Sequence, residues 1–275
     1  MQSSLCSIIR WLSGRRRSLS RKLIDYFIRG HLFYYSRLLR LESNKEIFQK
    51  AWVAIDGNRF INALVAHCQH PFQLSNREYN LLVLMKRMHK AGIFYIPELL
   101  FPEDERIKAL IESEASFLVA SAHNGFAFTS RVISEAGRKV VTIAANPEQV
   151  RRTTLKRSGV TAEIRMIERN MYCMARLQQA VKESMVVCCD IDFQTGTVAT
   201  HQYVSPVLFK FAKNSQLRII FAKYEITDAG MVQVLFHEPD NDQAPDEMAD
   251  QFIKYINSSR TRKRMLAVEK FNLAA

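Results

Sequence analysis

Apolar residues change their period near residue 115. Before it they recur at helical spacing: Leu19, Leu23 and Phe27 stand four residues apart, which puts them on one face of a helix. This pattern fills residues 7–40 and resumes from Ala51 to about Lys90, with a break at Pro71. A second amphipathic run goes from Asn76 through Leu81, Leu82, Leu84, Met85 and Met88 until Gly92 ends it. Residues 97–105 hold two prolines and four acids and read as a loop leading into a short helix near Arg106–Ser113.

After that point short apolar runs alternate with helical stretches. Ser116–Ser121 (SFLVAS), Lys139–Ala144 (KVVTIA), a segment near Ala162–Met166 and Met185–Asp190 (MVVCCD) read as strands. Helices are predicted over about Phe126–Ala136, from an Asn146 cap and Pro147 to Ser158 before Gly159, and over Asn170–Lys182. A looser segment follows, then a helix near Pro206–Ala212, a strand over Leu217–Tyr224, a turn at Asp228–Gly230, a returning strand over Met231–Phe236 and a helix over Asp246–Ser258. Wholly apolar strands alternating with helices imply an α/β fold: a mostly parallel or mixed sheet flanked by helices, with an N-terminal helical extension. The expected division is residues 1–75 as a basic amphipathic helical region and 76–275 as the α/β domain.

Charge changes this picture only at the ends. Residues 1–50 carry eleven Lys and Arg against Asp25, Glu42 and Glu46, a net +8 of the chain's +12, and the tail from Ile256 carries +4. A helix with basic residues interleaved among Leu, Phe and Tyr suits an anionic membrane surface, and equally a packed helix with a solvated basic face. No nucleic-acid motif accompanies the charge, so nucleic acid is the weakest reading of the basic ends. The first residues lack the apolar segment of a secretory signal, and no stretch is long and apolar enough to span a bilayer, so a soluble or peripheral protein is expected. Five cysteines without a CxxC pair indicate a reducing, cytosolic compartment, and neighbouring Cys188 and Cys189 are expected on opposite faces of one strand. His67-Cys68-Gln69-His70 lacks a second ligand pair at a familiar spacing, so no metal site is assigned, and no cofactor is called for.

In a parallel sheet, ligands bind beyond the carboxyl ends of the strands. His123 follows the strand Ser116–Ser121 there, with Asn124, Gly125 and a helix start behind it, and Asp190 ends Met185–Asp190. A neutral imidazole so placed takes a proton from an acceptor hydroxyl or amine, while nearby N–H groups stabilise an oxyanion. No G-x-S-x-G elbow points to a serine hydrolase.

The strand followed by His123 and Gly125 resembles the H-x-x-x-x-D/E motif, in a context similar to HLGNWE, of the lysophospholipid acyltransferase superfamily. Within it the chain is similar to the lipid A late (lauroyl and myristoyl) acyltransferases. Asn146-Pro147 through Arg151, Arg152, Lys156, Arg157 and Gly159 resembles the family's arginine-rich Asn-Pro helix, and Met185–Asp190 its apolar strand ending in Asp, with Ile191 where glutamine is usual. The likeness covers roughly residues 75–272. It implies an acyl carrier protein or coenzyme A thioester as donor, a lipid or glycolipid acceptor, and work in the cytoplasm, peripheral on the inner membrane. It also implies His123 as base, with Asn124, Gly125 and the cluster Arg151, Arg152, Lys156 and Arg157 binding substrate.

Two departures stand out. The basic N-terminal helix stands where those relatives have an apolar spanning helix, and the motif acid falls on Phe128, whose ring cannot fix the imidazole's tautomer. Asp190, Asp192 and Glu135 are the candidate replacements, and Asp190 is expected because it leaves a strand at its carboxyl end. Without any such acid, the domain is expected to bind an acyl chain or carrier without transferring it.

Overall fold

The computed structural model describes residues 2–41, 43–67, 73–101, 104–193, 202–258 and 264–269, with side chains from Ser18 onward except that of residue 67. Two compact units emerge: one from Met1–Pro97 with Ile226–Met231, the other from Glu98–Glu225 with Val232–Ala275. The first boundary lies beyond the expected residue 75, because Asn76–Lys90 packs with the helices before it.

The first unit is helical. Helix α1 (Gln2–Phe33) continues through a π-helical turn (Tyr34–Leu38) and packs against α2 (Asn44–Asp56), α3 (Arg59–His67) and α4 (Asn76–Lys90). Ile24, Ile28 and Leu32 at four-residue spacing supply the buried stripe of α1, and Phe48, Trp52, Ile55, Leu81 and Leu84 fill the same core. Ser75 starts α4 with a capping box, its hydroxyl accepting from the Glu78 N–H and its own N–H donating to the Glu78 carboxylate at 2.6 Å.

The second unit is the expected α/β fold. Its strands are β1 (Leu99–Leu100), β2 (Phe117–Ser121), β3 (Val140–Ala144), β4 (Ile164–Glu168), β5 (Val186–Asp190), β6 (Asp192–Phe193), β7 (Gln202–Val204), β8 (Arg218–Ile226), β9 (Val232–His237) and β10 (Leu266–Val268). Seven of them form one sheet in the order β1-β9-β8-β2-β5-β3-β4, with β2 at its centre running parallel to both β5 and β8. The leucines of the expected 97–105 loop thus join the sheet edge as β1, parallel to β9.

Alternate residues of the central strands face opposite layers. Leu118, Ala120, Val187 and Cys189 meet α9 (Cys173–Lys182), α10 (Val207–Asn214) and α11 (Pro245–Asn257) on one side. Phe117, Val119, Val186 and Cys188 meet α5 (Glu105–Glu112) and α6 (Phe128–Glu135) on the other. Cys188 and Cys189 therefore lie in different layers, and burial pushes both thiols up in pKa. The Asn-Pro helix runs as α7 (Pro147–Val150), a π turn (Arg151–Leu155) and α8 (Lys156–Ser158), with the Asn146 side chain capping the Gln149 N–H at 3.0 Å. The region read only as a looser segment contains β6 and β7, which form a second, three-stranded sheet in the order β10-β7-β6.

Candidate active site

His123 stands two residues past the carboxyl end of β2, as the sequence placed it. The chain leaving β5 reaches β6 within two residues, and that short step brings Asp192 under His123. The His123 main-chain N–H donates to Asp192 Oδ1 at 2.6 Å, and ring Nδ1 lies 3.1 Å from the same oxygen. An ionised carboxylate only accepts, so Nδ1 carries the proton and Nε2 is the nitrogen that exchanges one.

Asp190 stands on the other side of the ring. Its Oδ2 is 3.9 Å from His123 Nε2, while Oδ1 accepts a hydrogen bond from Ser121 Oγ at 2.7 Å. The side chain of Asp192 is fully buried, whereas those of His123 and Asp190 are 38% and 31% exposed. The oriented ring is thus open to a ligand, and its orienting acid is shielded from water. Asp190, expected as the orienting acid, is not the Nδ1 partner; Asp192 is. Glu135 is elsewhere, paired with Arg131 one turn back on α6.

Burial opposes the charged form of His123, but the Asp190 charge and the Asp192 hydrogen bond outweigh it and raise the imidazole pKa to about 9. Burial likewise disfavours ionised Asp192, yet the His123 bond and the Arg264 charge hold its pKa below the usual carboxylate value. Arg264 Nη1 donates to the His123 carbonyl at 2.9 Å and lies 3.8 Å from Asp192 Oδ2. The sequence marks Arg264 only as one cation of the basic tail from Ile256. Nothing in the local sequence distinguishes it from Arg262 or Lys263; its role follows from the pairing of β10 with β7.

Phe128, at the expected acid position, is core. It stacks on Phe126 with ring centroids 4.7 Å apart and meets Tyr224 edge-on at 5.3 Å. The loop before it is closed by its own side chains. Asn124, expected on substrate, is buried; its amide donates to the Ala122 carbonyl and accepts from the Phe126 N–H, both at 3.0 Å. Gly125 takes φ +82°, which a side chain would resist, and its carbonyl accepts from Arg157 at 2.9 Å. Arg157 also lies over the Phe126 ring, and burial lowers its pKa. Ser158 Oγ accepts from the Ala127 N–H at 2.7 Å.

Asn124 and Arg157 therefore build the loop instead of facing a ligand. Of the other cations expected to bind substrate, Arg151 and Lys156 are exposed, and exposed Arg152 pairs with Glu148 at 2.7 Å. Cys68, Gln69 and His70 of the candidate metal motif lie outside the described residues. Among the described residues no cluster of His, Cys, Asp and Glu is arranged to hold a metal ion.

No family model matches the chain, and no curated protein matches it significantly.

Proposed function

We propose that the protein transfers a fatty acyl group from an acyl carrier protein or coenzyme A thioester to a hydroxyl or amine of a lipid or glycolipid acceptor. The observation that carries this reading is the 3.1 Å contact between His123 Nδ1 and buried Asp192, which supplies the orienting carboxylate that Phe128 denies the local motif. Neutral Nε2 takes the proton of the acceptor as its oxygen or nitrogen attacks the thioester carbonyl. The new C–O or C–N bond forms, the C–S bond breaks, and the imidazolium returns the proton to the departing thiolate. The main-chain N–H groups of Asn124 and Gly125, which follow His123 in the same loop, are the proposed donors for the intermediate oxyanion.

A second reading has one observation in its favour. With its pKa raised to about 9, His123 is an imidazolium at neutral pH until a ligand or a change of environment removes its proton. A partly exposed cation suits a module that holds a carrier or an acyl lipid through an anionic group without turnover.

The proposed working place is the cytoplasmic surface of an anionic membrane. No helix among the described residues is long and apolar enough to cross one. Support for surface attachment comes from α1, whose positions Leu19, Leu23, Tyr26 and Phe33 are exposed on the face opposite buried Ile24, Ile28 and Leu32. Exposed Lys22 and Arg29 flank that stripe. Gly30 interrupts it and floors a shallow groove of ≈ 340 Å³ lined by Tyr26, Phe27, His31, Tyr34 and Tyr35.

The test incubates purified protein with acyl carrier thioesters and membrane lipid extract and follows acyl transfer. Transfer by wild type and its loss in His123→Ala are expected. Equal transfer by both removes the enzyme reading, and thioester binding without turnover by either protein favours the module.

A further inference from the structure

Arg264 lies two residues before β10, and its side chain is 1% exposed. A buried guanidinium is costly unless its charge and N–H groups are matched, so its surroundings indicate what it is for. Its main chain is clamped by Asn257 at the end of α11. The Arg264 N–H donates to Asn257 Oδ1 at 2.6 Å, and Asn257 Nδ2 donates to the Arg264 carbonyl at 3.3 Å. Beyond it, β10 runs parallel to β7, and β7 pairs with β6, the strand on which Asp192 sits. From this frame Nη1 bonds the carbonyl of His123, 141 residues away in sequence, and faces the Asp192 oxygen that the histidine does not use.

We infer that Arg264 is a positioning residue for His123: it holds the main-chain carbonyl of the His123 loop and balances the Asp192 charge, so that the ring stays bonded to Asp192. The His123 main chain is thereby held at both ends of one residue, its N–H by Asp192 and its carbonyl by Arg264. Backbone fixed on both sides leaves the imidazole only rotation about its side-chain bonds, and the Nδ1 contact restricts that. Arg264 meets this site at the His123 carbonyl and Asp192 Oδ2, whereas the reacting Nε2 lies toward Asp190. Its effect passes through Asp192 and through the loop.

Among the described residues, Asp190, Asp192 and Arg264 place charge beside His123, and they separate charge from geometry. If Arg264 acted only as a charge, its removal would leave the imidazolium less repelled and its titration midpoint unchanged or higher. If it positions the loop, its removal lets the ring leave Asp192, and the midpoint falls.

The importance of this placement for catalysis rests on the acyl-transfer reading, but the test does not. His123 in the full chain, labelled with nitrogen-15 at histidine, is followed by NMR through its Nδ1–H resonance and its titration. In Arg264→Gln the hydrogen-bonded downfield Nδ1–H signal is expected to disappear and the midpoint to fall by about one unit or more. Arg264→Lys keeps the charge on a side chain one heavy atom shorter, which cannot span the 2.9 Å contact from a main chain fixed by Asn257, so the same change is expected.

An unchanged resonance and midpoint in folded Arg264→Gln overturns the inference. Should that variant not fold, an unchanged Arg264→Lys does so. Where wild type transfers acyl groups, kcat in either variant is expected to drop about tenfold with KM for the thioester nearly constant. Ring signals lost on substitution, beside a wild type that transfers nothing, would retain Arg264's placement and remove the enzyme reading. Transfer by wild type, with ring signals unmoved by substitution, would do the reverse.

Discussion

Asp192 Oδ1 receives two hydrogen bonds from His123, one from its main-chain N–H at 2.6 Å and one from ring Nδ1 at 3.1 Å. One carboxylate oxygen therefore fixes both the position of the residue and the tautomer of its ring. Asp192→Asn keeps the shape and removes the charge. Acyl transfer is expected to fall by on the order of a hundredfold to ten-thousandfold, the range seen when a histidine loses its orienting carboxylate. The variant also removes the negative charge that faces buried Arg264 at 3.8 Å, and losing one partner of a buried pair costs about 3–5 kcal/mol. Chemical denaturation measures the second effect, and kcat measured well below the unfolding transition isolates the first.

The raised pKa of His123 fixes the sign of two pH dependences. As a base the ring works neutral, so kcat/KM for acyl transfer is expected to rise with pH and level off above about 9. Stability runs the other way. The folded state favours the imidazolium, with a pKa of about 9 against 6.5 for the ordinary side chain. That contribution is complete below about pH 6.5 and declines as pH rises through about 9. A transfer rate already level at pH 6.5 would count against His123 as the base.

Asp190 is the largest influence raising the His123 pKa, after the opposing effect of burial. Asp190→Asn removes that charge and leaves the Asp192 contact in place. The rising limb of the pH–rate profile is expected to move to lower pH, and the neutral fraction of His123 at pH 7 to grow. Activity at pH 7 therefore rises if Asp190 only tunes the ring. If Asp190 also receives the acceptor's O–H or N–H, KM for the acceptor rises while the limb still shifts. A limb that stays where it is in wild type rejects the electrostatic assignment.

The sequence revealed the sheet because its central strands are buried on both faces, so Phe117–Ser121 and Val186–Asp190 stand out as unbroken apolar runs. Edge strand β4 is less distinct. Its buried residues, Ile164 and Ile167, alternate irregularly with exposed ones, and the strand runs Ile164–Glu168 instead of near Ala162–Met166. His123 was visible because a loop histidine after a buried strand needs no tertiary information. Its partner was not. Asp192 belongs to a two-residue strand whose burial depends on β7 and β10, and β10 comes from the far end of the chain. A place at the carboxyl end of β5 favours Asp190, but the chain leaves the main sheet there and carries Asp192, two residues on, to His123 Nδ1.

In the helical unit, Gly230 combines two constraints. Its φ is +78°, and a Cβ built on it would meet Phe48 Cε1 at 2.9 Å and Trp52 Cδ1 at 3.0 Å. Trp52 is held in turn by a 3.0 Å bond from Nε1 to the Asp228 carbonyl in the same turn. Gly230→Ala thus demands an unfavourable backbone and displaces two rings that fill the core. A loss of about 1–3 kcal/mol is expected, read as a lower urea midpoint at constant m. An unchanged midpoint would mean that the turn moves off the two rings at little cost.

The exposed stripe on α1 gives the membrane reading its sharpest test. Leu23, Tyr26 and Phe33 project from the face opposite Ile24, Ile28 and Leu32, so replacing them leaves the packed side of the helix intact. A fully buried large apolar side chain gains about 1.5–3 kcal/mol, and partial insertion at a headgroup boundary gains roughly half of that. Leu23→Ser, Tyr26→Ser and Phe33→Ser together are therefore expected to weaken binding to vesicles containing anionic lipid by about a hundredfold, with thermal stability nearly unchanged. Electrostatic attraction from the +8 of residues 1–50 adds to insertion, so added salt should weaken wild-type flotation while leaving part of it in place. Flotation of the triple variant equal to wild type at the same salt would assign the attachment to charge alone. Equal flotation after deletion of residues 1–40 would remove α1 from membrane binding altogether.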